Sequence, residues 1–332
     1  AALFQAPTVS QLASRLRAPE VTAASGSAAQ PGSRVTLQAG GPRPPLFLVH
    51  GAGTGNLWAY ANLVPHLEPD QPVYALESRA ASGLEEFTTI EAMASYYIGE
   101  MRRMQPQGPY LLGGYCFGGN VAYEMACQLE AAGERIALLA LLDSAPSNSS
   151  YYRIPWWRPR YAARFAVNAG RWLYEFLAQS AAERRNFVRR KGRTLKRRLM
   201  GARPAGATST RDVDIEAIVD VSLYSEAELK VWRTHVNASD QHWPKPYSGR
   251  VTLLRTGRQP FLCSLDPQLG WGELAAGGVE AIMLSGTHEK IFLDPNVREL
   301  GARLTTCIMA ATSPPTLAAN DLRFAPVERA ME

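Results

Sequence analysis

Four cysteines in 332 residues, with no paired spacing and no histidines placed to join them, exclude a disulfide framework and a structural zinc site. Such sparing use fits the reducing cytoplasm, the location we expect, and no metal is expected. No run of about 18 apolar residues occurs, so no membrane-spanning helix is expected. The N-terminus also lacks the basic-then-apolar order of a signal peptide. Excess charge is scarce too, apart from one segment. Residues 183–198 hold nine basic side chains and one acidic, so the whole-chain value of +5 hides a net acidic remainder. Nucleic-acid binding would need that patch plus a recognisable reading element, and none is present. Val188, Leu195 and Leu199 recur at i, i+7 and i+11, which suits a helix with one apolar stripe and a solvated basic face.

From Arg34 onward the chain alternates between short apolar runs and helical periodicity. Strands are expected at Val35 to Gln38, Leu46 to His50, Val73 to Leu76, Tyr110 to Tyr115 and Ile136 to Leu142. Helices are expected at Asn56 to Leu67, Ile90 to Met104 and Gly118 to Ala132. Alternation of this kind predicts an α/β fold, a mostly parallel sheet with helices on both faces. After Asp143 it stops for roughly a hundred residues. Tyr151 to Phe176 is rich in aromatics, Trp156 and Trp157 among them, then come the basic helix and an acidic-then-apolar helix, Asp212 to Trp232. Two strands, Arg250 to Arg255 and Val279 to Leu284, and a closing helix, Pro295 to Ala311, resume the pattern. The expected organisation is therefore a core of 34–147 and 248–312, a helical lid at 148–247 and a loosely held tail at 313–332. Residues 18–33 have the Ala/Ser/Gly/Pro composition of a linker.

One cysteine stands apart. An apolar strand runs into Gly114-Tyr115-Cys116-Phe117-Gly118, with a helical stretch after it, which is the strand–turn–helix setting of a nucleophile elbow with cysteine in the serine position. Gly114 and Gly118 are expected because side chains two positions either side of so tight a turn would collide. The turn sets the sulfur at a helix N-terminus, where the dipole favours thiolate. Cys127, Cys263 and Cys307 have apolar surroundings without flanking glycines and read as structural.

A cysteine nucleophile needs a base, and the base an orienting partner. Of the five histidines, His288 directly follows the last strand in Ser285-Gly286-Thr287-His288. His50 is expected to shape the adjoining glycine loop. His66, His235 and His242 have no comparable placement. Two acids compete for the third role: Asp143 at the end of a buried strand, and Asp266 on a looser loop. Sequence order permits either, and the rigid placement of Asp143 favours it. Backbone N–H groups of Phe117 and Ala52 are the expected oxyanion donors.

Taken together, the elbow Gly114–Gly119, His50–Gly53, Leu141–Ser144, a helical lid and Gly286–His288 resemble a type I thioesterase domain. Such domains act in nonribosomal peptide and polyketide synthases. Residues 1–17, with Phe4, Pro7, Thr8, Val9, Leu12 and Ala13, resemble the end of a peptidyl carrier domain, so the resemblance covers about residues 1–312. It implies an α/β-hydrolase fold with an inserted lid and an acid after the strand that follows the nucleophile, which is Asp143. It also implies a monomeric domain with no cofactor of its own, acting on an acyl chain delivered by the 4′-phosphopantetheine arm of an upstream carrier domain in cis. Cysteine departs from most members. The subgroup that uses it, which includes the release domains of monobactam synthetases, is associated with β-lactone and β-lactam formation. Arg189, Arg190, Lys191, Trp156 and Trp157 would then contact substrate or carrier. Hydrolytic or macrocyclising release, and a non-enzymatic carrier-docking role, stay open.

Overall fold

The computed structural model describes residues 33–53, 57–155, 159–181, 184–185, 188–189, 192, 221, 224–260 and 263–313. The expected carrier tail, most of the linker, the tail beyond 313, Trp156, Trp157, Arg190 and Lys191 lie outside them.

Seven strands form one sheet in the order β1-β3-β2-β4-β5-β6-β7. They are β1 (Arg34–Gln38), β2 (Leu46–Val49), β3 (Val73–Leu76), β4 (Tyr110–Tyr115), β5 (Ile136–Leu142), β6 (Val251–Thr256) and β7 (Val279–Leu284). Only β1 runs antiparallel to its neighbour; every other pairing is parallel. The central strands are buried on both faces, which is why they read as unbroken apolar runs. Their side chains alternate between two cores, as the pleat requires. Phe47, Val49, Leu112, Leu139 and Leu141 pack on one face against α2 (Ile90–Arg102) and α3 (Phe117–Ala131). Leu46, Leu48, Leu111, Leu138 and Ala140 pack on the other against α1 (Leu57–Leu63) and α6 (Asn296–Thr312).

Between β5 and β6 the described residues include α4 (Pro159–Ala178) and α5 (Glu226–Gln241). The second differs from the sequence expectation. Most of the expected stretch from 212 to 225 lies outside the described residues, and the described helix opens at Glu226 and runs past Trp232 to Gln241. Ser225, extended at φ −69°, accepts from the Glu228 amide, while the Glu228 carboxylate accepts from the Ser225 N–H at 2.8 Å. This reciprocal capping box fixes the start, and the apolar stripe then continues past Trp232 through His235 and Ala238. The stretch expected as one helix up to Leu67 also divides: α1 ends at Leu63 and a tighter 3₁₀ turn, Val64–His66, follows, with Pro65 unable to supply an N–H. Among the described residues, no helix is long and apolar enough to cross a membrane.

Candidate active site

The carboxyl ends of β4, β5, β6 and β7 converge on one place. At the end of β4, Cys116 takes φ 54° and ψ −115°, a left-handed conformation that a non-glycine residue adopts only where the surroundings enforce it. The enforcement is local. A Cβ on Gly114 would overlap the Gly118 carbonyl, and one on Gly118 would overlap the carbonyl oxygens of Val49 and His50. Gly119 carries the same constraint against the Ser144 side chain. The Cys116 N–H donates to the Leu142 carbonyl at 3.1 Å, and the Ser144 hydroxyl donates to the Cys116 carbonyl at 2.7 Å. The turn is thus pinned from both sides, with the sulfur at the first turn of α3.

Asp143, at φ 45°, leaves the end of β5 and is held by β6. Its Oδ1 accepts the Thr256 N–H at 2.7 Å, and its Oδ2 accepts the Thr256 hydroxyl at 2.9 Å and His288 Nδ1 at 2.8 Å. Burial alone would raise this carboxyl; the hydrogen bonds from His288 and Thr256 outweigh it and hold it below the usual range. Asp266 is occupied elsewhere, accepting the amides of Gln268 at 3.2 Å and Gly270 at 2.8 Å, so it closes its own turn.

His288 Nδ1 is bonded to Asp143, and the imidazole shares the cavity wall with Cys116. Burial by itself would lower the imidazole, but the nearby Cys116 sulfur and the bond to Asp143 raise it well above its ordinary value. Tyr115, inside the elbow motif but not singled out from the sequence, holds this histidine in place. Its ring stacks on His288 at 4.8 Å and 27°, and its hydroxyl donates to the His288 carbonyl at 2.7 Å. Thr256 gave no sequence signal at all, because its role depends on β6 lying beside β5.

Cys116, His288, Ala52, Phe117, Tyr152 and Trp172 line a common cavity of about 1580 Å³. That exceeds the roughly 300–1,000 Å³ of ordinary small-molecule sites and leaves room for an extended chain. Of the aromatic segment, Tyr151, Tyr152, Trp172 and Tyr174 face this cavity, although Tyr174 is 76% exposed overall. Beside His288 the wall is charged. Arg258 bonds both Glu289 oxygens at 2.8 and 2.6 Å, pairs with Glu175 of α4 at 2.7 Å and lies 4.2 Å over the Trp172 ring. Arg189 is exposed and is not among the residues lining the cavity.

None of the remaining cysteines lines this cavity. Cys263 is buried, with Sγ 3.2 Å from the Pro260 carbonyl. Burial, reinforced by Glu124 and Glu130, pushes the Cys127 thiol up to about 12. His50 shapes the glycine loop as expected, donating from Nδ1 to the Gly51 carbonyl at 2.6 Å. His242 pairs with Glu91 at 3.0 Å, away from Cys116. His235, which the sequence did not single out, is fully buried against the same loop, with Nδ1 accepting the Gly53 N–H at 3.0 Å. Among the described residues, no group of histidine, cysteine and carboxylate side chains could hold a metal ion.

Known proteins resemble this chain in sequence and in fold. Malpibaldin synthetase of Mortierella alpina is 43% identical over 148 residues, which is 44% of this chain and 3% of that protein. The chain spans only a few per cent of the length of such curated relatives. The four-domain nonribosomal peptide synthetase holo-AB3403, solved with AMP and glycine, superposes with a TM-score of 0.58 at 25% identity, over 92% of this chain and 22% of that one. The NocB thioesterase domain, in covalent complex with a fluorophosphonate nocardicin G analog, superposes at 0.53 and 24% identity, over 83% of this chain and all of that one. These superpositions identify the sheet and its flanking helices as an α/β-hydrolase fold. A family model described as the thioesterase domain matches residues 44–292, a span that runs from β2 through the elbow to the His288 turn. The chain belongs to the thioesterase domain family.

Proposed function

We propose that this domain releases a peptidyl chain from the phosphopantetheine thioester of an upstream carrier domain by way of a thioester on Cys116. One observation carries the reading: a cysteine at the elbow and a histidine that Asp143 orients, both lining one cavity large enough for a peptide. His288 takes the thiol proton, and the Cys116 thiolate attacks the acyl carbonyl. The oxygen becomes an oxyanion facing the amides of Phe117 and Ala52, and the collapsing adduct expels the pantetheine thiolate, which takes the proton from His288. In the second half His288 accepts a proton from the incoming nucleophile and returns it to the Cys116 sulfur.

Cysteine has an energetic consequence. An ester on serine lies below the carrier thioester in free energy, whereas a thioester on Cys116 is nearly isoenergetic with it. Acyl activation is therefore preserved for the second step. That suits attack by a weak internal nucleophile to close a strained four-membered ring, a β-lactam or β-lactone, as in the cysteine subgroup with monobactam-type release. Residues 148–247 act as the lid over the acyl channel, and the basic stretch 183–198 meets carrier or substrate.

The test is mass spectrometry of the product released from a loaded carrier by the native chain and by Cys116→Ser and Cys116→Ala. We expect a cyclic product from the native chain. The serine variant should accept the acyl group and then hydrolyse it or stall as the ester, and the alanine variant should release nothing. Native product at native rate from Cys116→Ser would refute the energetic argument. A linear acid from the native chain would favour hydrolytic release instead.

A further inference from the structure

The loop that carries Ala52 is clamped from two directions, by two histidines on consecutive peptide units. The first clamp is on the Gly51–Ala52 peptide. His50 donates from Nδ1 to its carbonyl at 2.6 Å, and its Nε2 lies 2.8 Å from the Tyr97 hydroxyl. Because N–H and C=O of one peptide point opposite ways, this bond turns the Ala52 N–H away from His50. The second clamp is on the Ala52–Gly53 peptide and comes from α5, in the inserted segment. His235 Nδ1 accepts the Gly53 N–H at 3.0 Å. A nitrogen that accepts there has no proton, so the ring carries its proton on Nε2, which lies 3.4 Å from the Glu86 carboxylate. Both side chains are inaccessible, at 0% and 4% exposure, and Ser78 donates to the same carboxylate. The other face of the ring stacks on Phe117 at 4.6 Å and 21°. Trp232, one turn earlier on α5, packs so closely on Gly53, at φ +83°, that a Cβ there would overlap the indole.

An apolar side chain would fill this space on a buried helix face without needing Glu86 as a partner. The histidine brings one thing an apolar residue lacks, an acceptor for the Gly53 amide. It also touches both halves of the expected oxyanion hole at once, Phe117 through its ring face and the Ala52 loop through Nδ1. We propose that His235 is a positioning residue for the oxyanion hole: it locks the Ala52–Gly53 peptide and couples the seating of α5 to acyl transfer. The inference rests on the assignment of Cys116 as nucleophile.

Two reactions at the same sulfur separate this role from general packing. Acylation by a soluble acyl N-acetylcysteamine thioester builds an oxyanion, whereas alkylation by iodoacetamide builds none. His235→Ala should slow acylation of Cys116 about 10- to 100-fold at saturating thioester with KM little changed, below the roughly 100- to 1,000-fold of losing a donor outright. Alkylation should stay within about twofold of the native rate, since it places no charge in the hole. His235→Asn, whose side-chain oxygen reaches the Nδ1 position, should recover most of the loss. Should the alanine variant not fold, His235→Phe refills the space without an acceptor and carries the same expectation. Equal losses in acylation and alkylation, or an asparagine variant no better than alanine, would overturn the proposal. A native chain that alkylates at Cys116 but is never acylated would overturn the assigned nucleophile instead. Affinity for a matching acyl aldehyde, whose adduct sets an oxygen in the same hole, would still decide the role of His235.

Discussion

Replacing Asp143 by asparagine isolates what the carboxylate does, because little else changes. Asparagine tolerates the left-handed backbone at this position, and its oxygen can keep the Thr256 amide that now binds Oδ1 at 2.7 Å. Its NH₂ then faces the Thr256 hydroxyl and His288 Nδ1, which both donate to Oδ2 in the native protein. The hydroxyl can rotate and accept. The imidazole can accept only by moving its proton to Nε2, and an Nε2–H cannot take a proton from Cys116. The magnitude follows from what a cysteine does alone. An ordinary thiol, with pKa about 8.5, is a few per cent ionised at pH 7, so loss of the base costs at least roughly 30-fold. The same change in a serine triad costs about 10⁴, which sets the upper limit. We expect acylation by a soluble thioester to fall within these bounds at pH 7, and the deficit to shrink by roughly 20-fold toward pH 9 as the thiol ionises unaided. Asp266→Asn should leave the rate unchanged. Stability has its own sign. The native carboxyl is depressed, so its contribution is present above the unfolded value near 3.9 and is lost as pH falls through the folded value. The Tm difference between native and variant should therefore close in acid. A variant within threefold of native at pH 7, or a deficit that does not change with pH, would refute the reasoning.

Tyr115→Phe keeps the ring stacked on His288 and removes only the hydroxyl bond to its carbonyl; kcat should fall about fivefold with KM unchanged, the equivalent of about 1 kcal/mol, in the same thioester assay. Gly118→Ala drives a Cβ into two backbone carbonyls and should lower Tm by roughly 5 °C or more, whereas Gly99→Ala, in open space on α2, should leave it unchanged or raise it slightly. Reversing Arg189, Arg190 and Lys191 to glutamate should slow reaction with carrier-bound substrate more than with the soluble thioester, and added salt should erase the difference. Equal loss on both substrates would place these charges at the cavity, and no loss on either would leave them a solvated helix face.

The sheet was legible in the sequence because parallel strands buried on both faces write themselves as unbroken apolar runs; Leu46–Val49 and Ile136–Leu142 could be little else. Cys116 was legible because the elbow demands glycines at fixed spacing, and His288 because it follows the last strand. What sequence could not reach depends on neighbours distant in the chain. Thr256 matters only because β6 pairs beside β5, and His235 only because α5 folds back onto the loop after β2. Read alone, a histidine in Val-Trp-Arg-Thr-His is one more polar residue on a helix. The capping box at Ser225 and Glu228 is a local signal, a serine with a glutamate three residues on, and it marks the start of α5.

Asp143 and Thr256 are 113 residues apart, yet they end adjacent strands and are bonded to each other. The excursion that leaves the sheet after Asp143, α4 and α5 included, crosses to the opposite end of the strands and re-enters at Val251, and β6 then brings the chain back beside Asp143. A loop closed at its base in this way has a closure entropy that grows only with the logarithm of its length, about 0.6 kcal/mol per doubling. The size of the excursion is thus nearly neutral for the folding of the sheet, and the carboxylate stays fixed whatever lies between. What an exchanged segment must keep is not its length but its contacts with the core, among them His235 and Trp232 on Gly53 and Glu175 on Arg258.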